Sequence, residues 1–350
     1  MSSHRIVIFG WAHSVHVQRW ASGLAARGCA VRVISLDGHP LDGIDTVILP
    51  RQSRLSYLTT ASRAIEAARA FKPDLVHVHN ASGFGWWGLR ARLHPLVVSV
   101  WGSDAVAFPS NLWRRAYLRR VLHSADAVTA TSRYLADVTT KLCHAIEPRL
   151  QVIPFGVEIP PSLVVPPEGA FTLCAIKSHK PIYGLDLLIR AMVKVVEVMP
   201  DARLTLAGSG PLTPELKSLT HRLGLSEYIT FPGELTADEV ARLLIRSHLM
   251  VMPSLRESFG VAALEASAAG RAVVATRLGG IPEVVRDGVT GLLVPPGDVG
   301  ALAQAIIKLG RDRATLYRMG EAGRRFVQEH YTWHSSLDAM LSLYEKLLNG

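Results

Sequence analysis

Residues 249–276 read LMVMPSLRESFGVAALEASAAGRAVVAT, and this stretch indicates an α/β fold. An apolar run of strand length, Leu249–Met252, is followed by a polar loop and then by a helical pattern that starts after Gly260. A second apolar run, Ala272–Thr276, ends the stretch. Strand, loop, helix and strand in this order predict a βαβ unit, whose loops gather at the carboxyl edge of a parallel sheet. Ligands of open α/β sheets bind at that edge.

Two glutamates in this stretch, Glu257 and Glu265, are predicted to flank an anion site. The first stands on the loop, and the second lies about one and a half turns into the helix. Between them, the backbone N–H groups of Phe259, Gly260 and Val261 are expected at a helix N-terminus, which carries about half a positive charge and suits a phosphate. Two glutamates at this spacing are common by chance, and it is the βαβ setting that favours a nucleotide-sugar site.

The whole chain of 350 residues alternates between strand and helix patterns, which predicts an α/β protein with two doubly wound domains. A proline-rich interruption at residues 154–161, continuing to Pro166 and Pro167, is the predicted linker. We therefore expect an N-terminal domain over residues 1–160 and a C-terminal domain over residues 168–330. A final amphipathic helix, residues 333–350, is predicted to cross back to the first domain. A longer helix is also predicted over Tyr57–Phe71.

Composition narrows the class of protein. No apolar run reaches 18 residues, so no transmembrane span is predicted, and the N-terminal stretch from Met1 to Phe9 does not fit a signal peptide. The three cysteines, Cys29, Cys143 and Cys174, are widely spaced, which favours a reducing compartment without a disulfide or zinc framework. These features predict a cytoplasmic protein.

Positive charge is concentrated in the first half of the chain. Residues 1–165 hold 18 Lys and Arg against 10 Asp and Glu, whereas the remaining residues are nearly balanced. No helix-turn-helix or aromatic-basic stacking motif is present, so nucleic acid is not the expected partner. Residues 112–122 read as an arginine-rich helix with interleaved Trp113, Tyr117 and Leu118. It is either an ordinary surface helix or a site that rests on the anionic inner face of a membrane.

Glycine motifs give a mixed signal. The loop after the first strand, from Gly10 to His16, contains no G-x-G-x-x-G, so the dinucleotide fingerprint is missing where it should stand. After a later strand, Gly208-Ser209-Gly210-Pro211 gives a lone G-x-G. A structural turn and a nucleotide loop are both open readings of that motif.

Taken together, these residues resemble the retaining family 4 glycosyltransferases, which have the GT-B fold of two Rossmann-like domains with a cleft between them. The resemblance covers nearly the whole chain and is most specific in the second half. It rests on five elements in order: Gly208–Pro211, Phe231-Pro232-Gly233, the pair Glu257 and Glu265, Gly279–Glu283, and Asp287–Val294.

The resemblance implies a role for each matching position. Such enzymes move a sugar from a nucleotide diphosphate, here UDP- or GDP-linked, to an acceptor held by the N-terminal domain. Glu257 would contact the donor sugar, and Glu265 the ribose hydroxyls. The remaining donor-binding positions are then Gly208, Gly210, Gly233, Glu234, Ser258, Phe259, Gly260 and Val261.

The basic pair that neutralises the diphosphate in this family is altered. Lys177 falls at the usual Arg position, whereas Tyr183 falls where a Lys is expected. We expect Lys180 to supply the second charge. A lysine can act as a point-charge phosphate ligand without the bidentate geometry of Arg.

A second departure lies in the N-terminal domain, where the family's His-Gly-x-Asp is Trp101-Gly102-Ser103-Asp104. Trp101 is either a core aromatic or a platform for a sugar face, and Asp104 is predicted to accept a hydroxyl. The remaining candidates for the cleft are His13, Ser14, His16, His79 and Asn80. For Ser14, helix capping is an equal alternative, and for His77 and His79 strand packing is favoured.

No Asp-x-Asp occurs in the chain, so we expect no metal site and no cofactor, with Lys177, Lys180 and the helix N-terminus stabilising the leaving group. The resemblance implies retention of configuration by a front-face displacement. The expected acceptor is a glycan or lipid-linked sugar of bacterial-type surface polysaccharide or glycolipid synthesis. The alternatives are a GT-B epimerase or phosphorylase, or a nucleotide-sugar-binding protein without catalysis.

Overall fold

The computed structural model describes residues 4–53, 55–160 and 168–350. The chain divides into two compact units, one comprising residues up to Phe155 together with His334–Gly350, the other Gly156–Trp333. Part of the predicted linker, residues 161–167 with Pro166 and Pro167, lies outside the described residues, as do Met1–Ser3.

The first unit contains a parallel sheet of seven strands in the order β3-β2-β1-β4-β5-β6-β7. Most of its strand residues are buried and apolar, as expected for a sheet covered by helices on both faces. Its strands are β1 (Arg5–Phe9), β2 (Ala30–Ser35), β3 (Asp45–Ile48), β4 (Leu75–His79), β5 (Leu96–Val100), β6 (Ala127–Ala130) and β7 (Leu150–Val152).

Helices follow the strands of this unit, and one prediction is corrected. The helices are α1 (Val15–Ala26), α2 (Ser56–Thr59), α3 (Ala61–Ala70), α4 (Gly85–Ala91), α5 (Ser103–Val106), α6 (Leu112–Ser124) and α7 (Arg133–Leu142). The prediction of a single helix over Tyr57–Phe71 was wrong, because the helix is interrupted at Thr60, between α2 and α3. The Tyr57 carbonyl, which would accept the Ala61 N–H in a continuous helix, accepts the Trp87 indole N–H at 2.8 Å.

The second unit contains a parallel sheet of six strands in the order β10-β9-β8-β11-β12-β13. Its strands are β8 (Thr172–Ile176), β9 (Arg203–Ala207), β10 (Ile229–Gly233), β11 (Leu249–Met252), β12 (Ala272–Thr276) and β13 (Gly291–Val294). Its helices are α8 (Leu185–Val198), α9 (Thr213–Arg222), α10 (Ala237–Arg246), α11 (Val261–Ala268), α12 (Ile281–Val284), α13 (Val299–Arg311) and α14 (Arg313–His330). A short 3-10 turn, Pro181–Tyr183, precedes α8.

The last helix, α15 (Trp333–Asn349), belongs to the first unit from His334 onward. It buries Leu337, Met340, Leu343 and Tyr344. The Tyr344 hydroxyl lies 2.5 Å from His77 Nδ1 on β4, so a buried polar contact joins the end of the chain to the first sheet.

The predicted fold class is confirmed: each unit is a doubly wound α/β layer structure around a parallel sheet. Among the helices of the described residues, none is both long and apolar enough to cross a membrane.

Candidate functional site

Strands β8 and β11 mark the point where strand order reverses in the second sheet. The chain moves from β8 outward to β9 and β10, then returns to the other side of β8 as β11. Loops that leave two such strands diverge, and the crevice between them is where open α/β sheets bind ligands. Lys177 directly follows β8 and Glu257 lies on the loop after β11, so the fold brings both predicted residues to this edge.

Lys177 and Glu257 form an ion pair at this edge. Lys177 Nζ lies 2.5 Å from Glu257 Oε2, and each side chain is only 13% exposed. The same ammonium lies 4.9 Å from the centre of the Tyr183 ring. Because the pair is largely withdrawn from water, removal of either partner would leave a charge poorly compensated. The cation predicted to bind the diphosphate and the carboxylate predicted to contact the donor sugar are therefore direct neighbours.

Helix α11 begins at Val261, with Gly260 at its N-cap in a left-handed conformation (φ +105°). Its first intrahelical bonds run from Ala263 and Leu264 to the Gly260 carbonyl. N–H groups that precede the first of these bonds have no partner within the helix, so this end can receive an anion. Glu265 is half-buried in the second turn of α11.

The remaining donor-binding candidates lie on the loops after β9 and β10. Gly208 has φ +121°, and a Cβ there would lie 2.1 Å from the Lys177 carbonyl oxygen, so only glycine allows the two loops to approach this closely. The Gly208 N–H donates to the Gly233 carbonyl at 2.7 Å. The Ser209 hydroxyl donates to Glu234 Oε1 at 2.5 Å. The His179 N–H donates to the Ser209 carbonyl at 2.8 Å, so contacts join the three loops after β8, β9 and β10.

Three further residues of the β8 and β11 loops differ in their surroundings. Lys180 is exposed at the start of the Pro181–Tyr183 turn, and Ser258 is half-buried beside Glu257. His179, between the two lysines, is fully buried, and its Nδ1 lies 2.8 Å from the Thr213 hydroxyl. Burial, reinforced by Lys217, lowers the pKa of His179. Sequence reasoning missed His179, which connects this loop to α9.

In the first unit, several predicted residues meet at the carboxyl edge of the sheet. The Trp101 ring centre lies 4.8 Å from that of His79 and 5.7 Å from that of His16. The His16 ring stacks on Phe155 with centres 3.9 Å apart. Burial and then Arg19 lower the pKa of His16 to about 4, so its imidazole is neutral near pH 7. Trp101 thus forms part of an aromatic and histidine cluster.

Asp104 is fully buried and braces two loops. Its carboxylate accepts backbone N–H groups from Ala81 at 3.0 Å, Trp101 at 3.0 Å and Gly102 at 2.8 Å. Burial raises the pKa of this carboxyl, while the backbone hydrogen bonds oppose the shift. These contacts make Asp104 a support for the ends of β4 and β5, and its predicted contact with a substrate hydroxyl stays a prediction.

The other candidates of the first unit are less enclosed. His13 is exposed, and its ring lies beside Trp11 with centres 5.2 Å apart. Ser14 stands at the N-cap of α1, but within the described chain its side chain makes no capping hydrogen bond. Asn80 has φ +80°, and its Oδ1 accepts the Ser82 hydroxyl at 2.7 Å, a local turn.

Comparison with known proteins connects both units to one group. A model described as Glycosyl transferases group 1 matches residues 170–312, and one described as Glycosyl transferase 4-like matches residues 5–132. A D-inositol 3-phosphate glycosyltransferase of Mycobacterium sp. (strain KMS) is 30% identical over 316 residues, which cover 82% of this chain and 70% of the relative. The N-acetyl-alpha-D-glucosaminyl L-malate synthase of Bacillus anthracis is 28% identical, with 83% and 79% covered.

Solved structures extend the likeness over the full length. Sucrose-phosphate synthase from Thermosynechococcus elongatus has a TM-score of 0.84 at 24% identity, with 99% of both chains covered. Anabaena Alr3699/HepE in complex with UDP and glucose has a TM-score of 0.85 at 19% identity, with 98% of this chain and 100% of that chain covered. These similarities establish the GT-B fold.

Proposed function

The chain belongs to the family 4 glycosyltransferases, and from this premise we propose that it transfers a sugar from a nucleotide diphosphate with retention of configuration. The acceptor is a glycan or a lipid-linked sugar of a surface polysaccharide or glycolipid. The observation that carries the proposal is the Lys177–Glu257 pair beside the N-terminus of α11, at the switch point of the second sheet.

The donor occupies this edge of the second unit in our proposal. The diphosphate lies against the α11 N-terminus and Lys177, the sugar faces Glu257, and the ribose reaches Glu265. The loops that carry Gly208, Gly233 and Glu234 line the base, which is uracil or guanine. A protein of the same fold, Anabaena HepE, was solved with UDP and glucose, which supports a nucleotide sugar as donor.

The chemical step needs charge stabilisation and no metal in this scheme. The bond between the anomeric carbon and the diphosphate oxygen breaks, and the acceptor oxygen bonds to the same face of that carbon. The acceptor proton passes to the departing phosphate oxygen. Lys177, Lys180 and the α11 dipole stabilise the charge that develops on the diphosphate. The absence of an Asp-x-Asp in the sequence is consistent with this division of labour.

A thermal-shift screen tests the donor site directly. UDP, GDP, ADP and their sugars are added separately in EDTA, and the melting temperature is recorded. A ligand at 100 times its dissociation constant stabilises the folded protein by about 2.7 kcal/mol. We expect one base to raise the melting temperature clearly above the others. No shift with any nucleotide diphosphate, or a shift only after Mn²⁺ is added, would contradict the proposal.

We further propose that α6 rests on an anionic membrane surface and brings a lipid-linked acceptor within reach. Its first residues, Leu112 and Trp113, are 80% and 87% exposed, although both are large and apolar. The four arginines that follow, Arg114, Arg115, Arg119 and Arg120, are exposed as well. An ordinary surface helix would turn Leu112 toward the core. Peripheral binding at the inner face of the membrane follows from this combination of apolar and basic groups.

A further inference from the structure

Two loops of the second unit are bonded into one frame around Lys177. The Ile182 carbonyl accepts the backbone N–H groups of Leu255 at 2.8 Å and Arg256 at 3.1 Å. At Gly184, which has φ +58°, a Cβ would lie 2.3 Å from the Pro253 carbonyl oxygen, so this contact admits no side chain. The 3-10 turn that ends in Tyr183 and the loop that carries Glu257 therefore hold a fixed relation to each other.

Inside this frame, the Lys177 ammonium contacts a ring and a carboxylate together. Nζ lies 4.9 Å from the Tyr183 ring centre and 2.5 Å from Glu257 Oε2. The two contacts differ in what they do to the charge. The carboxylate neutralises the ammonium, whereas the face of an aromatic ring attracts it and leaves its full charge available.

We propose that Tyr183 is a positioning residue that holds the Lys177 ammonium toward the donor diphosphate. The inference rests on the proposed function, in which the donor diphosphate binds against Lys177. The ring holds the ammonium in place without neutralising it, so the charge of Lys177 is available to the diphosphate. The family pattern has a second cation at position 183. In this chain Tyr183 instead orients the one cation, Lys177.

A double-mutant cycle with a conservative control tests this role. The ligand is the nucleoside diphosphate that stabilises the wild type most among UDP, GDP and ADP, and its dissociation constant is measured by calorimetry. Tyr183→Phe keeps the ring and should bind within twofold of the wild type. Tyr183→Leu should bind about fivefold more weakly, the size of an exposed to half-buried cation–ring contact. In a Lys177→Met background, Tyr183→Leu should cause no additional loss.

The parent nucleoside, measured by competition, separates positioning from damage to the loop. It has no phosphate, so we expect Tyr183→Leu to leave its affinity unchanged. Equal losses for nucleoside and diphosphate, an unchanged diphosphate affinity, or a full additional loss in the Lys177→Met background would each overturn the inference. A wild type that binds none of the three diphosphates would overturn the proposed function as well. A wild type that binds a diphosphate with an affinity that does not depend on Tyr183 would overturn only the inference.

Discussion

Glu265 and Glu257 are predicted to hold opposite ends of the same donor, and their substitutions should therefore differ. Glu265→Ala removes a charged acceptor from the ribose hydroxyls. Hydrogen bonds to charged groups contribute about 1.5–3 kcal/mol, so affinity for the nucleoside diphosphate should fall by about one to two orders of magnitude. Calorimetry checks this, with the exposed Glu321→Ala of α14 as the control. An unchanged affinity in Glu265→Ala would remove this residue from the site.

Glu257→Ala should lower turnover without weakening the binding of the nucleoside diphosphate. The diphosphate has no sugar for Glu257 to hold, and loss of the carboxylate leaves Lys177 without its partner at 2.5 Å, which favours an anionic ligand. The measurement is a comparison of the rate of donor turnover with the dissociation constant of the diphosphate. Equal losses in both would indicate that Glu257 only braces its loop.

Helix α6 should bind anionic vesicles in a salt-dependent way. Each arginine near such a surface contributes about 1 kcal/mol, and the attraction is screened over about 8 Å at physiological salt. A variant with four Arg→Ser substitutions should bind vesicles at least tenfold more weakly in a sedimentation assay. The substituted residues are Arg114, Arg115, Arg119 and Arg120. The matched control replaces four exposed arginines of the second unit, Arg222, Arg246, Arg311 and Arg318.

The control quartet removes the same net charge from other helices, so it should leave vesicle binding nearly intact. Equal loss in both quartets would mean that the net charge of +9, and not α6, attracts the vesicle. Binding to neutral vesicles as strong as to anionic ones, or no binding at low salt, would leave a soluble acceptor as the better hypothesis.

His77, buried where β4 contacts α15, predicts a loss of stability in mild acid. Burial lowers the pKa of His77 to about 3, whereas an unfolded histidine titrates near 6.5. Between these values the unfolded chain binds the additional proton, so stability decreases as the pH falls below about 6.5 and continues to decrease toward pH 3. At pH 5, this group alone lowers the free energy of unfolding by about 2 kcal/mol relative to its value above pH 7. His16, with a pKa lowered to about 4, acts in the same direction.

Urea unfolding at pH 7.5 and pH 5 measures this effect. His77→Gln should shrink the difference between the two pH values by about 2 kcal/mol, whereas the exposed His39→Gln should leave it unchanged. Tyr344→Phe should cost about 1 kcal/mol at both pH values, because it removes the hydrogen bond to His77 Nδ1. The same pH dependence in His77→Gln as in the wild type would contradict this assignment.

On the scale of the whole molecule, the strand order and the switch point follow from local patterns. Strands covered on both faces read as continuous apolar runs, which is why Leu249–Met252 and Ala272–Thr276 were predicted with the bounds that the structure has. The loops that carry Glu257 and Lys177 then had to meet at one edge, because parallel strands share their direction.

Contacts between distant side chains could not be predicted in this way. Lys177 and Glu257 are 80 positions apart in the sequence, and His77 and Tyr344 are 267 apart. The local periodicity of apolar residues therefore predicts neither pair. The buried state of Asp104 depends on backbone N–H groups of two loops, whose meeting is a property of the folded sheet. The position of Tyr183 beside Lys177 had one signal in the sequence, an aromatic residue where a cation was expected.

Release of nucleoside diphosphate from a panel of UDP- and GDP-sugars in EDTA is the decisive measurement for sugar transfer by this chain. The wild type is incubated at high concentration with water as a slow acceptor and, in parallel, with a bacterial lipid extract. We predict release from at least one donor, faster with the extract, and a loss of at least tenfold in Glu257→Ala. No release from any donor, or release abolished by EDTA and restored by Mn²⁺, would contradict a metal-independent sugar transfer at the Lys177–Glu257 edge.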